Sequence, residues 1–292
     1  MKRKALLMAV VTTVLWSGSY ILNKLAFQGG IGPLTLSGLR YLLASLLLLS
    51  LGKGKKQTKS SPLSFYMIIL LGLLGYAIAQ GLQYVGQSYL TPTQSSLMLS
   101  CGNTLLVMLV DMLWLKENHS WRDIIKLLFL IAGISLYYYP WDAGSISYAG
   151  VVFMLLSSVG YALNMTINRR LLLTRHTDAK SLTAQPMFAG AVVLLIAGLI
   201  IEGIPVITGR LLLILAYLSI VSGALGFYLW TKSQIHLTAF ESSSINNLML
   251  IEIALMDFFV FRRTVSYLQI VAVIVVLASI IAIQRKTVIR KA

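Results

Sequence analysis

Ten long apolar segments dominate the chain, and short polar or turn-forming breaks separate them. A helix needs about 20 mostly apolar residues to cross a membrane, and these segments reach or approach that length. Their approximate limits are 5–27, 33–51, 63–84, 92–115, 124–139, 148–172, 182–202, 211–234, 240–261 and 267–283. Charged residues make up 11% of the 292 residues, whereas soluble domains carry roughly a quarter. The sequence therefore predicts an all-α integral membrane protein with ten transmembrane helices.

The distribution of the 24 Lys and Arg residues predicts the orientation in the membrane. A nucleic-acid-binding protein would carry its net charge of +15 on one face of a soluble body, but here the basic residues cluster between apolar segments. Nineteen of them fall on the side of the N-terminus and four on the other side. Since cytoplasmic loops are rich in Lys and Arg, we expect both termini in the cytoplasm, a plasma-membrane (bacterial inner-membrane) location and no nucleic-acid partner. The run after Lys4 lacks a small-residue cleavage site, which favours a retained first helix.

A polar stretch in the first segment has a weaker copy about 145 residues later. The copies match aromatic to aromatic, amide to amide and cation to cation: Trp16 with Tyr161, Asn23 with Asn168, and Lys24 with Arg169. Two candidate capping boxes, at residues 91–94 and 238–241, match in the same way. We therefore predict two related five-helix repeats, residues 1–145 and 146–292. Because five is odd, the second repeat would be inverted, which is a recurring plan of secondary transporters.

Polar side chains at helical spacing mark the candidate binding site, because such residues inside a membrane tend to face a cavity or a partner helix. They lie on the first, third, fourth, sixth, eighth and ninth segments. The candidate substrate-binding residues are Trp16, Ser19, Tyr20, Asn23, Tyr76, Gln80, Tyr84, Ser100, Asn103, Tyr161, Asn164, Tyr228 and Asn247. Contacts between helices or placement at the membrane surface are the alternative for each of them.

Most charged residues in the segments have a structural interpretation. We expect Glu241 to cap a helix, and the matched pair Asp111 and Asp257 to be structural. Arg40 lies about two turns inside the second segment, where Asp257 at similar depth is a candidate partner. Lys24 and Arg169 are expected to extend their charged ends to the membrane surface.

Glu252 differs because it lies near the middle of the ninth segment with no cation close in sequence. A carboxyl group there is either neutral, satisfied by a neighbouring hydrogen-bond donor, or part of a proton or cation pathway. We therefore treat Glu252 as the candidate coupling residue, with a purely structural hydrogen-bonded carboxyl as the alternative.

The sequence lacks the motifs of soluble enzymes, such as a phosphate-binding glycine loop or His-Glu-x-x-His. Cys101 stands alone in an apolar segment and has no intrachain disulfide partner. The three histidines fall in or near predicted cytoplasmic breaks. We expect no enzymatic activity, no metal site and no cofactor.

Four stretches together resemble the EamA-type transporters of the drug/metabolite transporter superfamily. They are WSGSYILNK at 16–24, LRYLLA at 39–44, LKE at 115–117 and LIAGI at 130–134. The resemblance covers essentially the whole chain, although Arg262 and Arg263 stand where the second repeat would carry an acidic residue, and the fourth segment lacks a proline near Asn103.

The resemblance implies a secondary transporter that moves a small metabolite, such as an amino acid or a related compound, often outward. Alternating access would proceed around a central cavity, helped by close glycine packing at Gly72, Gly75, Gly223 and Gly226. Its partners would be the substrate, membrane lipids and, as a candidate coupling ion, the proton, and it would act as a monomer or a weak homodimer. The alternatives are uptake of a small amine or nucleobase-type solute, and a non-transporting receptor or scaffold.

Overall fold

The computed structural model describes residues 2–50, 63–90, 92–115, 120–137, 139, 147–174, 178–261 and 266–289. Their regular structure is helical throughout, without strands in these ranges, as the sequence predicts. The elements are α1 (Lys2–Gln28), α2 (Pro33–Ser50), α3 (Phe65–Tyr89), α4 (Pro92–Val110), α5 (Trp121–Tyr137), α6 (Tyr148–Thr174), α7 (Ala179–Ile201), α8 (Gly209–Ser233), α9 (Ala239–Asn246), α10 (Leu248–Phe261) and α11 (Tyr267–Ile289).

Six of the described helices, α1, α2, α3, α6, α7 and α8, are long and apolar enough to cross a membrane. Shorter apolar helices cover Met98–Trp114 and Tyr267–Ile283. Large apolar side chains cover the outside, for example Ile200 at 78% exposed and Leu213 at 76%. Lipid tails rather than water suit such a surface, so the prediction of an all-α integral membrane protein is confirmed. The count of ten spans and the cytoplasmic side of the termini stay predictions.

The ninth predicted segment is not one continuous helix in the structure, because it breaks at Asn247 between α9 and α10. The break follows a run rich in Ser and Asn, whose side chains hydrogen-bond to nearby backbone and so compete with helical bonding. Asn247 shows this directly, since its amide donates to the carbonyl oxygen of Ser243 at 3.3 Å.

Acidic side chains satisfy the free N–H groups at two helix starts. Thr238 accepts from the N–H of Glu241 at 3.0 Å, and the Glu241 carboxylate accepts from the N–H of Thr238 at 2.9 Å. This confirms the predicted capping box of α9, whereas Thr91 and the side chains of residues 92–94, which would form the other box, lie outside the described part of the chain. Glu202, after the end of α7, accepts from the N–H groups of Leu34 and Thr35 at 2.8 Å each. That carboxylate therefore ties α7 to the start of α2, a contact that the sequence did not predict.

Small residues let the helices approach closely, which is the usual basis of helix association in membranes. A Cβ added at Gly72 would stand 3.0 Å from Ala189 Cβ on α7, and one at Gly223 would stand 2.8 Å from Ala44 Cβ on α2. Gly75 faces Asn164 on α6, and Gly226 faces Trp16 on α1. All four predicted glycines therefore lie at contacts between helices.

Two helices contain matching stretches of π-helical backbone, Leu73–Gly81 in α3 and Tyr217–Gly226 in α8. A π-helical turn is wider than an α-helical turn, and such turns are frequent at functional sites. The two stretches lie about 145 residues apart in sequence, close to the offset of the sequence repeat. Both helices contribute side chains to the cavity described next.

Candidate functional site

A cavity opens where α1, α3, α4, α6, α8, α9 and α10 meet, with one further residue from α2. Aromatic rings, neutral amides and one guanidinium make up most of its wall. The lining residues are Trp16, Ser19, Tyr20, Asn23, Arg40, Gln80, Gln83, Tyr84, Leu99, Asn103, Tyr161, Phe227, Asn246 and Met249. Eight of the thirteen residues predicted to bind substrate are among them: Trp16, Ser19, Tyr20, Asn23, Gln80, Tyr84, Asn103 and Tyr161.

The cavity is narrow in this conformation. The cavity volume is about 40 Å³, which is enough for water but small beside the several hundred Å³ of a typical ligand pocket. A metabolite larger than that requires the surrounding helices or side chains to move apart. The structure therefore shows a constricted state of the site.

The aromatic wall is held firmly by contacts behind it. Trp16 donates its indole N–H to the carbonyl oxygen of Ser222 at 2.9 Å. Its ring lies 4.9 Å from the ring of Phe227 and 5.1 Å from that of Trp230, measured between centroids. Because α1 and α8 share these contacts, a movement of one helix against the other would reposition the Trp16 ring in the cavity.

Amide side chains bridge α1 and α3 at the edge of the cavity. Asn23 donates to Gln87 at 3.2 Å, and Gln83 donates to the hydroxyl of Tyr20 at 3.3 Å. Gln83 follows Gln80 by three residues and so shares its helix face, which makes helical spacing a sufficient signal for it. Both bonds join neutral groups and can exchange with solute or water at low energetic cost.

Several polar atoms of the lining have no partner within the described part of the chain. They are Asn23 Oδ1, Asn103 Oδ1, the Tyr161 hydroxyl and Asn246 Oδ1. Buried polar groups are nearly always hydrogen-bonded to protein or water. Their clustering at one cavity therefore indicates that the cavity holds water or a polar solute.

Arg40 also lines the cavity, which the sequence analysis did not predict. It is 3% exposed and donates to the hydroxyls of Tyr84 and Ser222, the latter at 2.6 Å. Its predicted pairing with Asp257 concerns a side chain outside the described residues. The sequence indicated only that Arg40 lies about two turns inside its apolar segment. That position is equally compatible with a side chain in a cavity and with one in a contact between helices.

Five of the predicted site residues lie away from the cavity lining. Asn164 donates to the carbonyl oxygen of Leu71 at 3.2 Å, and Asn247 donates to Thr104 at 2.9 Å, so both tie helices together. The remaining three are Tyr76, which packs among Tyr41 and Phe227, the buried Ser100, and Tyr228, which contacts Lys232. Sharing a helical face with cavity residues was therefore insufficient to place a side chain in the cavity.

Glu252 lies on α10 and meets two hydroxyls of α1. Thr13 donates to Oε1 at 2.8 Å and Ser17 donates to Oε2 at 2.6 Å. Both hydroxyls also lie close to carbonyl oxygens of α1. The Thr13 hydroxyl is 2.7 Å from the carbonyl oxygen of Val10, and the Ser17 hydroxyl is 2.9 Å from that of Thr13. A hydroxyl carries one proton but also accepts. The pair therefore satisfies a charged carboxylate by donating twice, and a neutral carboxylic acid by accepting from it.

The prediction that Arg169 reaches the membrane surface is wrong. Its side chain is 6% exposed and donates to the carbonyl oxygen of Gln234, just after the end of α8. The last carbonyls of a helix lack intrahelical partners and carry partial negative charge, so they attract a guanidinium. Lys24, by contrast, is exposed.

Asp111, just after the end of α4, has a structural role. It accepts from Thr166 at 3.1 Å and from the N–H of Phe240 at 3.2 Å, which joins α4 to α6 and α9.

Within the described ranges, no group of three or more His, Cys, Asp or Glu side chains is arranged to hold a metal ion. The described lining offers hydrogen-bonding groups, aromatic faces and one cation to a solute.

Comparisons with known proteins identify the family of the chain. The sequence profile of the EamA-like transporter family matches residues 3–139 and again residues 148–285. "Uncharacterized transporter YvbV" of Bacillus subtilis (strain 168) is 27% identical over 227 residues, which are 77% of this chain and 73% of that protein. "Uncharacterized transporter YyaM" of the same organism is 23% identical over 248 residues, 81% of this chain and 78% of that protein.

A solved protein structure shares the fold, with a TM-score of 0.77 over 96% of both chains at 15% sequence identity. The two profile matches together span most of the chain, and the relatives are named as transporters. The chain therefore belongs to the EamA-like transporter family and is a multi-pass membrane transporter of the drug/metabolite superfamily.

Proposed function

We propose that the protein is a secondary transporter that exports a small metabolite, of the amino-acid type or related, across the plasma membrane by alternating access. The lining of the central cavity carries this proposal. Trp16, Tyr20, Tyr161 and Phe227 supply aromatic walls, and neutral amides supply donors and acceptors. Arg40 is the one cation among the described lining residues. Because the lining residues that the structure describes form no cationic cluster, the cavity suits a small polar or aromatic solute better than a sugar phosphate or nucleotide sugar.

The pattern of helix contacts supports two inverted repeats of five helices around this cavity, with ten spans in all. In the proposed repeat, α1 corresponds to α6, α3 to α8, and α4 to α9 and α10. A contact between two helices should then recur between their two counterparts. Contact of α1 with α8 corresponds to contact of α6 with α3, and contact of α1 with α10 corresponds to contact of α6 with α4; all four pairs pack together. Such symmetry lets the two halves exchange conformations, which would open the cavity alternately to either side.

Glu252 is proposed as the coupling residue. Its carboxyl group contacts α1, one of the helices that line the cavity, and the Thr13–Ser17 hydroxyl pair accommodates both of its protonation states. Protonation would weaken the bonds to α1, because hydrogen bonds to a charged group are stronger than those to a neutral one. A change of proton occupancy would thereby alter the attachment of α1 to α10.

The experiment is ligand screening followed by flux. Purified protein is tested for thermal stabilisation by amino acids, amines and nucleobases, and each hit is tested for flux in proteoliposomes with and without a pH gradient. Tyr161→Phe removes a cavity hydroxyl that has no partner in the described residues, so it should weaken ligand stabilisation while leaving the ligand-free melting temperature nearly unchanged. Tyr66→Phe, at an exposed position, is the matched control. Absence of both stabilisation and flux across the panel would refute the proposal.

A further inference from the structure

Arg40 is a cation held inside the protein beside the cavity, in a segment that the proposed topology places within the membrane. It is 3% exposed and contributes to the cavity wall. A buried charge is costly unless a counter-charge and hydrogen bonds accompany it. Its surroundings therefore indicate what the cavity is built to receive.

The described partners of Arg40 are all electrically neutral. The guanidinium donates to Tyr84 and Ser222, and its central carbon lies 5.0 Å from the centroid of the Tyr41 ring and 5.8 Å from that of Tyr84. A guanidinium has five N–H groups. The two hydroxyls take two of them, and the Nε–H has no acceptor among the described residues. The site thus retains donor capacity that a fork-shaped acceptor such as a carboxylate would use.

Among the side chains that the structure describes, which do not include that of Asp257, no carboxylate lies within 4.0 Å of Arg40. Three described acidic groups of the bundle are engaged with other partners. Glu252 binds the α1 hydroxyls, Glu202 binds the start of α2, and Glu241 pairs with Lys2 at 2.8 Å. The positive charge of Arg40 therefore faces the cavity without a described protein counter-charge.

The same cavity also presents acceptors that lack donors. The amide oxygens of Asn23, Asn103 and Asn246 belong to lining residues and have no hydrogen-bond donor in the described part of the chain. A solute that satisfied both sets of groups would carry an anionic acceptor at one end and N–H donors at another. Aromatic faces, including Trp16 and Tyr161, lie in the same lining and attract a cationic N–H group.

We propose that Arg40 is the carboxylate-binding residue of this transporter, and that the solute carries one carboxylate together with an N–H donor group. The proposal rests on the proposed transport function and specifies its substrate class. The carboxylate would take the free N–H groups of Arg40, and the amide oxygens would receive the solute N–H. The thirteen candidate residues predicted from the sequence include no cation, so Arg40 adds a positive charge to the site.

The test compares three pools of probes built on the same carbon skeletons, at equal concentration, with purified full-length protein. One pool contains α-amino acids, the second the amines left after removal of their carboxyl group, and the third the carboxylic acids left after removal of their amino group. Thermal stabilisation should be largest for amino acids, smaller for carboxylic acids and weakest for amines. A preference for amines, or equal stabilisation by all three pools, would overturn the assignment.

Arg40 variants then locate the effect. Arg40→Met should weaken the binding of the best amino acid about 10- to 100-fold, the equivalent of one charge-assisted interaction, and should abolish the preference for carboxylates over amines. Arg40→Lys keeps the charge but loses the planar fork, so it should retain the preference with lower affinity. Lys24→Met, at an exposed cation of α1, is the matched control and should bind like the wild type. An Arg40→Met protein that kept the wild-type preference would refute the proposal.

The outcomes separate this proposal from the one on which it rests. If flux is found only for a neutral or cationic solute such as a nucleobase or an amine, the transport function stands and the carboxylate assignment fails. If no probe of any charge class binds or is transported, the transport proposal fails as well. The comparison of pools uses the wild-type protein. It therefore decides whether the site prefers a solute with a carboxylate, even if an Arg40 variant does not fold.

Discussion

Replacing Glu252 by glutamine should uncouple transport from the pH gradient while leaving the fold intact. The glutamine side chain has the same shape as the carboxyl group and still meets Thr13 and Ser17, which lie 2.8 Å and 2.6 Å from the present oxygens. The glutamine side chain stays neutral at any pH near neutrality, because an amide does not ionise there, and so it resembles the protonated carboxyl group. The variant would therefore keep the contact between α1 and α10 but lose the ability to change its charge.

The stability cost follows from the two hydrogen bonds. A bond to a charged group contributes about 1.5–3 kcal/mol and a neutral bond about 0.5–1.5 kcal/mol. The smaller cost of burying a neutral group offsets part of this difference. We expect a net loss of at most about 2 kcal/mol, or a few degrees in melting temperature for a chain of this size. Such a variant would remain folded, so its flux can be compared with that of the wild type.

The assay measures flux of the best ligand in proteoliposomes, with and without an imposed pH gradient. Glu252→Gln should reduce the gradient-driven component at least about tenfold, while exchange of the solute without a gradient persists, because only the charge change is removed. Ser17→Ala should keep the pH dependence, since the carboxyl group remains. Glu202→Gln is the matched control, because that carboxylate caps α2 rather than contacting α1. Undiminished gradient-driven flux in Glu252→Gln would refute the coupling role.

Three further predictions concern packing and capping. Gly190→Ala should lower stability by about 1–3 kcal/mol, because the added Cβ would stand 2.5 Å from Tyr76 Cβ; Gly209→Ala, with nothing within 4 Å, should be neutral, and an equal loss in both would contradict the packing argument. Trp16→Phe should abolish any ligand-induced change in tryptophan fluorescence and cost about 1 kcal/mol for the bond to Ser222; a signal that survives would place its source outside the cavity. Thr238→Ala should cost about 1 kcal/mol in thermal unfolding through loss of the α9 cap, and no loss would show that the cap is redundant.

Local features were predictable from the sequence because they depend on residues close together in the chain. Apolar runs of membrane-spanning length favour helices, and six of the described helices are long and apolar enough to cross a membrane. The capping box of Thr238 and Glu241 was read from a three-residue spacing and has that geometry. Eight candidate residues lie on the cavity because helical periodicity brings polar groups to one face, and the polar faces of several helices have to meet where lipid is excluded.

Contacts between distant helices were decided by the tertiary structure alone. The place of Arg169 depended on the end of α8, 65 residues later, which offered free carbonyl groups. The partners of Arg40, Tyr84 and Ser222, lie far from it in the sequence, so these hydrogen bonds could not be predicted from the sequence alone. Asn164 and Asn247 share periodic faces with cavity residues, yet α3 and α4 approach them closely enough to take their hydrogen bonds. Hydropathy and periodicity thus determined which stretches form apolar helices and which faces are polar, whereas the packing of one helix on another decided which polar groups pair and which remain for a solute.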